Sequence, residues 1–479
     1  MNSPKPFPRL FLIIILGALL AAFWYKAAIF LDPDFGWEMR MGQYILAHGI
    51  PYTDPLSYTM PSYPIIAHYW LSSILITKLY PVIGYTGLAG IVALISLVAL
   101  LILIPAKKIT LGIVPLLLAS AGLFSYLGVR PHVITWFFMA IFFRGVTDPQ
   151  LWKKYRHYFP FLMILWVNLH GGFAAGLLIL VVKIITDIYQ SRKINWPDLC
   201  IVALCFLTTI INPYGIYIWR EILITLFDPG TRLGINEWQP FLVRLSIIHA
   251  PVLAVPLVIF AKYFRKFSLL EKVLFVALLL NGLSSSKMYP LWLLYSIYFS
   301  TKGFLFLFEE VKRRPGAVQR MNLIMAGLLA IALSYSAIYG FRVVRIYQEI
   351  SEEKFYPQKA VEFLQQHPAP GHLFSSFSWG GYLLWQLPNQ KTFADGRMPH
   401  WENRYAPPQE STKASEEQHK ILKSEVNFLT VAKKYRITTV LLPQSYKKQF
   451  KKLFSSLKKH GWQKVYEDDI AIIYATISL

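Results

Sequence analysis

The sequence predicts a polytopic α-helical membrane protein that carries a small α/β domain at its C-terminal end. Of the 479 residues, 55% are hydrophobic and only 15% are charged, whereas soluble domains usually carry about 25% charged residues. Long apolar runs extend to about residue 345, and the character of the sequence changes after that point. This composition excludes an ordinary soluble enzyme, a disordered chain and a fibrous repeat.

The first apolar run is predicted to be an uncleaved membrane span over residues 10–30. A cleaved signal peptide has a similar shape, and Ala21-Ala22 keeps that alternative open. Lys5 and Arg9 precede the run, so the N-terminus is expected in the cytoplasm.

A membrane span needs about 20 apolar residues, and on that basis the chain has about eleven. The predicted spans are 10–30, 84–105, 109–127, 131–145, 157–169, 171–190, 197–212, 247–263, 268–285, 289–308 and 322–343. The segment 64–82 could span the membrane or lie flat in its interface. If it lies flat, the loops richest in Lys and Arg fall on the cytoplasmic side, which is the usual bias, so we predict an interfacial helix. The net charge of +22 is interpreted first as this topology signal.

Residues 346–479 are predicted to form an α/β domain, so that the chain divides into 1–345 and 346–479. Short strand-like runs alternate there with charged helical patterns. The strand-like runs are HLFSSF, GGYLLWQL, KTFAD, TTVLLP and DDIAIIYAT, and the helical patterns are PQKAVEFLQQH and SYKKQFKKLFSSLKKHG. An odd number of spans after a cytoplasmic N-terminus places this domain outside the cytoplasm of a multi-pass protein of the plasma (inner) membrane.

Several function classes have no support in the sequence. It contains no Walker loop, no GxSxG elbow, no HExxH helix and no CxxC pair. Nucleic acid is not expected as a partner, since the basic residues lie in short loops between spans. Cys200 and Cys205 lie on different faces of one helix, so neither a disulfide nor a metal site is predicted.

Three acids follow the first span directly: Asp32, Asp34 and Glu38. The stretch 36–48 has its apolar residues at helical spacing, which predicts an amphipathic helix on the membrane surface with these acids at its N-terminus. They could be solvated capping residues, or one of them could be a general base at the lipid–water boundary. An Asp-x-Asp pair could also hold a divalent cation, although no third fixed ligand is visible.

Further polar residues fall on the predicted external side or in the C-terminal domain. They are Arg130 and His132, Asn168 and His170, Glu237 with Trp238 and Lys287, and finally Trp379, Asp395 and Arg397. An arginine at the membrane boundary either snorkels or pairs with a phosphate. The His and Asn beside a glycine pair either bond backbone groups at a tight turn or contact a ligand. The last three form structural turns with an ion pair, or they face the membrane site.

Taken together, these motifs resemble bacterial membrane glycosyltransferases of the GT-C superfamily, whose members include protein O-mannosyltransferases and the aminoarabinose transferase that acts on lipid A. The residues that carry the resemblance are Asp32-Pro33-Asp34, Trp37, Gly42, Gly49-Ile50-Pro51, Asp54-Pro55-Leu56-Ser57-Tyr58-Thr59, Trp70-Leu71, Arg130-Pro131-His132, Trp166, Asn168, His170-Gly171, Asn212-Pro213-Tyr214-Gly215, Glu237-Trp238, Trp379-Gly380-Gly381-Tyr382 and Asp395-Gly396-Arg397. They extend over nearly the whole chain, and the first loop is the most specific part.

The resemblance implies a GT-C-like fold whose first external loop carries two membrane-parallel helices, here 36–48 and 64–82. It implies a polyprenyl-phosphate-linked sugar donor, held in the membrane lipid, and an inverting transfer to a glycan, lipid or protein acceptor that stays unidentified. A first-loop acid would be the base; Asp34 is favoured because Asp32 lies closer to the apolar span. Arg130 and Lys287 would contact the phosphate. The remaining substrate-binding candidates are Trp37, Glu38, Asp54, His68, His132, Asn168, His170, Glu237, Trp238, Trp379, Asp395 and Arg397.

Two other function classes stay open. A lipid or polysaccharide transporter would carry ionisable residues near the middle of its spans, and here such residues are scarce, with Lys183 and Asp187 close to one end of a span. A catalytically inactive scaffold with the same fold is the other alternative, against which the intact Asp-x-Asp pair argues.

Overall fold

The computed structural model describes residues 9–105, 108–228, 231–232, 235–312 and 316–476, so Lys5 lies outside the described residues. Contacts among them divide the chain into two compact units. Unit 1 takes in the described residues of 1–29, 85–222 and 232–347, and unit 2 takes in those of 30–84, 223–231 and 348–479. Unit 2 therefore contains the segment after the first predicted span as well as the C-terminal residues. The predicted division into 1–345 and 346–479 stays a prediction.

Helices dominate the chain. Up to residue 227 they are α1 (Arg9–Ala28), α2 (Phe35–His48), α3 (Trp70–Ile102), α4 (Ile109–Phe124), α5 (His132–Thr147), α6 (Pro149–Tyr155), α7 (Phe159–Leu169), α8 (Phe173–Ser191), α9 (Trp196–Thr208) and α10 (Ile218–Phe227). They continue with α11 (Ala250–Tyr263), α12 (Leu269–Ser284), α13 (Tyr289–Val311), α14 (Ala317–Glu349), α15 (Glu352–Phe355), α16 (Gln358–Gln366), α17 (Gly380–Gln386), α18 (Ala414–Leu422), α19 (Phe428–Tyr435), α20 (Tyr446–Gln449) and α21 (Lys451–Lys459).

Five helical segments are long and apolar enough to cross a membrane, counted over the described ranges. They are Arg9–Ala28, Trp70–Ile102, Phe173–Ser191, Ser286–Val311 and Asn322–Glu349. Each predicted span coincides with all or part of a helix, which agrees with a multi-pass helical membrane protein. The shorter apolar helices, such as α4 and α9, are not long enough to be counted with these five, so the number of spans stays a prediction.

The packing of α1 and α4 in unit 1 shows two different environments. Every residue of α4 from Leu111 to Phe124 is buried, as expected for a helix that is apolar all round and lies inside a bundle. On α1, by contrast, Leu10, Ile13 and Ile14 are exposed. Apolar side chains on the outer surface of a helical bundle are suited to contact with lipid.

The segment predicted as an interfacial helix over 64–82 forms only in part, since the helix begins at Trp70. Gly84 has a φ of 64° and a ψ of −176°, which interrupts α3. A glycine adopts this left-handed backbone without a steric penalty. The interruption falls at the first residue of the next predicted span, 84–105, just after the predicted interfacial helix. Whether residues 70–83 lie in the membrane interface stays a prediction.

In unit 2, the predicted helix 36–48 forms as α2 and packs against α17. The two helices approach closely because glycines meet there: a Cβ added to Gly36 would lie 2.1 Å from the carbonyl oxygen of Gly381. The prediction of a strand for the run GGYLLWQL is wrong, because this run forms the helix α17. A short continuous apolar run has no periodicity that separates a strand from a buried helix.

The sheet of unit 2 has four strands in the order β1-β2-β4-β3. They are β1 (His372–Ser375), β2 (Ile437–Pro443), β3 (Gln463–Glu467) and β4 (Ala471–Ala475). The β1–β2 pair is parallel and the other two are antiparallel. The runs HLFSSF, TTVLLP and DDIAIIYAT contain strands as predicted. KTFAD does not form one of these strands, since Thr392 makes only an isolated parallel bridge with Ser57 of the first loop.

Candidate functional site

Asp32 and Asp34 of the first loop lie at the start of α2 in unit 2, where the helix dipole favours negative charge. Asp34 occupies the N-cap position, and its backbone N–H donates to Asp32 Oδ1 at 3.0 Å. The Trp37 indole Nε1 donates to Asp34 Oδ1 at 3.1 Å. Asp32 therefore fixes the backbone of the turn, while Trp37 fixes the carboxylate of Asp34.

A glycine of the C-terminal part of unit 2 borders the Asp34 carboxylate. A Cβ added to Gly396 would lie 3.3 Å from Asp34 Oδ1 and 3.5 Å from Trp37 Nε1. Gly396 therefore leaves room for both side chains, and the predicted Asp395-Gly396-Arg397 turn lies next to the first-loop acid. Sequence reasoning predicted this turn but not the role of its glycine, which has no side chain to signal it.

Two other first-loop candidates, Trp37 and Glu38, are buried, whereas His68 is partly exposed. The Trp37 ring packs edge-on against Tyr69, with the centroids 4.7 Å apart, and the His68 ring packs edge-on against the same tyrosine at 4.9 Å. Glu38 lies in the first turn of α2.

A buried ion triad joins Asp54 of the first loop to Asp395 and Arg397 of the C-terminal part. Arg397 Nε and Nη2 donate to the two oxygens of Asp395 at 2.8 and 2.7 Å, and Arg397 Nη1 donates to Asp54 Oδ1 at 2.6 Å. The side chains are 0–2% exposed. A contact of these three side chains with substrate stays a prediction, since their ion pairs are formed with one another.

The remaining bonds of the triad also lie inside unit 2. Asp54 accepts from the backbone N–H groups of Leu56 and Ser57, and Asp395 accepts from the Thr392 hydroxyl at 2.7 Å. Burial alone would raise the pKa of Asp395, but the Arg397 guanidinium outweighs it and holds the pKa below its usual value. The triad is thus an ionised structural link within unit 2.

Trp379 is also buried. Its indole Nε1 donates to the backbone carbonyl of Phe355 at 2.7 Å. This bond anchors the short helical turn that precedes α17.

Unit 1 contains a second ion cluster, formed by Arg130, Glu237 and Lys287. Arg130 Nη1 lies 3.1 Å from Glu237 Oε2, and Lys287 Nζ lies 2.6 Å from Glu237 Oε1. The side chains are 24%, 34% and 31% exposed, respectively. Burial alone would raise the pKa of Glu237, but the two cations hold it well below its usual range. A single carboxylate thus holds two cations together.

Two further candidate residues, Trp238 and His132, lie close to this cluster. The Lys287 ammonium lies over the Trp238 ring, 5.0 Å from its centroid, which is a cation–π distance. His132 begins α5, and its Nε2 lies 3.0 Å from the carbonyl oxygen of Tyr126.

Asn168 and His170 form a separate polar group at the end of α7. Asn168 Nδ2 donates to the carbonyl oxygens of Ile164 and Ile211, each at 2.8 Å. His170 Nδ1 accepts from the Gly172 backbone N–H at 3.1 Å and lies 2.8 Å from the Thr135 hydroxyl. Bonds to backbone groups at a tight turn were one of the two alternatives for this motif. Thr135 was missed, because it lies inside an apolar helix and belongs to no motif.

Within unit 2, contacts join Asp32 with Asp34 and Trp37, and they join Asp54 with Asp395 and Arg397. Within unit 1, contacts join Arg130, Glu237, Trp238 and Lys287, while Asn168 and His170 bond other groups. Within the described ranges, no group of three or more His, Cys, Asp or Glu side chains could hold a metal ion. The divalent cation considered for the Asp-x-Asp pair stays a prediction.

No protein-family model matches the sequence, and no curated protein matches it either. The chain is similar in structure to ArnT from Cupriavidus metallidurans, whose crystal structure was determined bound to undecaprenyl phosphate. The TM-score is 0.53 and the sequence identity 12%, over 98% of this chain and 99% of that chain. At this identity the likeness shows a shared fold and nothing further.

Proposed function

We propose that this chain is a membrane glycosyltransferase that moves a sugar from a polyprenyl-phosphate-linked donor to an acceptor outside the cytoplasm. The observation that carries the proposal is the fold, shared over nearly the full length with a protein crystallised with undecaprenyl phosphate. A donor with an isoprenoid tail stays in the bilayer, so the reaction needs no nucleotide-binding domain. The protein would be a multi-pass plasma-membrane enzyme with residues 346–479 outside the cytoplasm.

The cations of unit 1 suit the leaving group of this reaction. Arg130 and Lys287 converge on one carboxylate and are about a quarter to a third exposed, so an anionic headgroup can reach them. Cations aimed at a departing phosphate stabilise the charge that develops in the transition state. In the proposal, they contact the phosphate of the donor and of the released carrier.

Asp34 is the proposed base. Its carboxylate is half-buried, lies at a helix N-terminus and is oriented by the Trp37 indole. It takes the proton of the acceptor hydroxyl or amine while the acceptor atom bonds to the anomeric carbon. The bond between that carbon and the phosphate oxygen breaks, and the carrier phosphate leaves with the electron pair. One displacement of this kind inverts the anomeric centre, and the proton then passes from Asp34 to water.

A thin-layer assay of membranes with a panel of labelled polyprenyl-phosphate sugars tests the proposal. Transfer from at least one donor is expected in membranes that contain the protein and not in membranes without it. If no donor of the panel is used, the proposed reaction is wrong.

Two variants of nearly identical shape test the base. Asp34→Asn should abolish transfer, because the amide cannot take the proton. Asp32→Asn should keep most of it, because an amide oxygen can still accept the bond from the Asp34 backbone. Both variants should be expressed like the unchanged protein. Unchanged turnover in both variants would refute the assignment of the base. Loss of transfer in Asp32→Asn alone would assign the base to Asp32.

A further inference from the structure

In the ion cluster of unit 1, the acid Glu237 lies between the two cations, Arg130 and Lys287, that could otherwise bind an anion. Glu237 Oε2 contacts Arg130 and Glu237 Oε1 contacts Lys287. Each oxygen therefore accepts from a different cation, as two oxygens of a phosphate would. The carboxylate occupies the donors that the proposed function assigns to the phosphate.

The scaffold around the cluster does not depend on this carboxylate. Glu237 lies on the short 3₁₀ turn Asn236–Trp238, and Lys287 lies on the turn Ser286–Met288. These turns are joined by two bonds from Ser286, whose backbone N–H and hydroxyl donate to the Gln239 carbonyl at 2.9 and 3.1 Å. The Trp238 ring also lies under the Lys287 ammonium. The charge of Glu237 is therefore not required to hold the two turns together.

The exposure of the cluster makes the ion pairs exchangeable. Ion pairs in contact with solvent contribute little each, because water screens them. The phosphate monoester of the released carrier carries more charge than a carboxylate and offers more acceptor oxygens, so it can replace Glu237 at the two cations. When a ligand must displace an internal competitor, its apparent Kd equals the intrinsic Kd divided by the fraction of sites that the competitor leaves free.

We infer that Glu237 is an internal counter-ion, displaced from Arg130 and Lys287 when the phosphate headgroup of a polyprenyl carrier binds. Its carboxylate competes with the carrier phosphate for the two cations, which weakens the hold on that phosphate so that the carrier is released after transfer. Glu237 is thus a positioning residue that sets the affinity of the anion site. The inference rests on the proposed function, which assigns the cations to the donor phosphate.

The test is the affinity of the full-length protein in nanodiscs for undecaprenyl phosphate. Glu237→Gln removes the competing charge and should tighten binding about three- to tenfold, with a matching decrease in the dissociation rate. A purely structural role predicts the opposite, because cations that lose their partner would spread apart and bind more weakly. Weaker or unchanged binding in Glu237→Gln would overturn the inference.

Glu310→Gln is the matched control, since Glu310 is another partly exposed acid of unit 1 and pairs with Lys262 at 3.6 Å. It should leave the affinity unchanged. Arg130→Gln should weaken binding, because it removes one of the two phosphate donors. If Glu310→Gln tightens binding as much as Glu237→Gln, the effect is general electrostatics and the inference fails.

A second variant keeps the inference testable if Glu237→Gln does not fold. Glu237→Asp keeps the charge but is one methylene shorter, so it cannot bridge both cations at their present distances. It should tighten binding about twofold, and unchanged or weaker binding would count against the counter-ion role.

Inorganic phosphate is titrated in parallel to identify the source of the anion. A response to inorganic phosphate without one to undecaprenyl phosphate would assign the cations to a soluble anion and overturn the inference. If the unchanged protein binds the lipid and Glu237→Gln binds it more tightly but no sugar is transferred, the inference stands and the proposed function fails. If the unchanged protein does not bind the lipid, both fail.

Discussion

The two ion clusters of this protein use the same kinds of side chain in opposite proportions. In unit 2, Asp54 and Asp395 share one arginine, Arg397, and the side chains are 0–2% exposed. In unit 1, Arg130 and Lys287 share one acid, Glu237, and the side chains are 24–34% exposed. In each cluster, one central charged group pairs with two side chains of opposite charge.

Burial makes the difference between them. A buried charge that loses its partner keeps the cost of its desolvation, so each member of the unit 2 triad depends on the others. A partly exposed charge that loses its partner is solvated by water or by a ligand. Similar contacts therefore stabilise the fold in one unit and leave a site open to exchange in the other.

The largest expected effect comes from breaking the buried triad. Arg397→Met removes both ion pairs and leaves two buried carboxylates without their cation, which typically costs about 3–5 kcal/mol of unfolding free energy. The thermal midpoint of the solubilised protein should fall strongly, and the yield of folded protein with it. Lys464→Met is the control, because its pair with Glu467 is partly exposed and should contribute less than about 1 kcal/mol. Similar losses in both variants would contradict the comparison.

Removing a cation of unit 1 should give the reverse pattern. Lys287→Met should lower the rate of sugar transfer about 100-fold, since it removes a group that stabilises the departing phosphate. The thermal midpoint should change little, because the Ser286–Gln239 bonds still hold the two turns together. The transfer rate and the midpoint are measured on the same preparation. A large loss of stability with normal transfer would show that this cluster is structural too.

A smaller effect is expected at Asp34, the half-buried acid of unit 2. Trp37→Phe keeps an aromatic ring against Tyr69 but removes the donor that orients the carboxylate. The indole donates to an ionised carboxylate, and such a charge-assisted bond contributes about 1.5 kcal/mol at the low end of its range, so kcat should fall roughly tenfold while KM for the donor stays the same. Trp385→Phe, at a tryptophan that packs on Tyr80, controls for the loss of an indole. A change in KM alone would remove Trp37 from the positioning of the base.

The smallest effect is a dependence of stability on acid pH. Because the pKa of Asp395 lies below its usual 3.8, its contribution is fully present above that pH and is lost as the pH falls through the depressed pKa. The thermal midpoints of the unchanged protein and Asp395→Asn should therefore differ by a constant amount from about pH 7 to pH 5 and converge below about pH 4. Midpoints that already converge between pH 7 and pH 5 would contradict an ionised triad with a low pKa.

Much of the helical architecture could be predicted from the sequence, because apolar runs of span length have few alternatives in a chain of this composition. The helices α1, α8 and α13 lie where the apolar runs predicted them. The amphipathic pattern of 36–48 likewise predicted α2. The run GGYLLWQL could not be assigned correctly, since its helical form depends on the close contact between Gly36 and Gly381.

The candidate residues could be named from the sequence, but their partners could not. Asp54 and Arg397 are 343 residues apart in the sequence, and no local pattern relates them. The sequence likewise offered Glu237 as a substrate-binding residue, but it gave no sign that this side chain pairs with Arg130 and Lys287. Charge type is written in the sequence, while burial and pairing depend on residues that are distant along the chain.

The sequence by itself determined that this chain is a helical membrane protein with an acidic first loop and strands near its C-terminal end, because hydropathy and local periodicity are properties of neighbouring residues. Only the tertiary structure decided which charges are locked in pairs and which can be exchanged. The free energy of an ion pair depends on its solvent exposure, and exposure is fixed only when distant segments pack together.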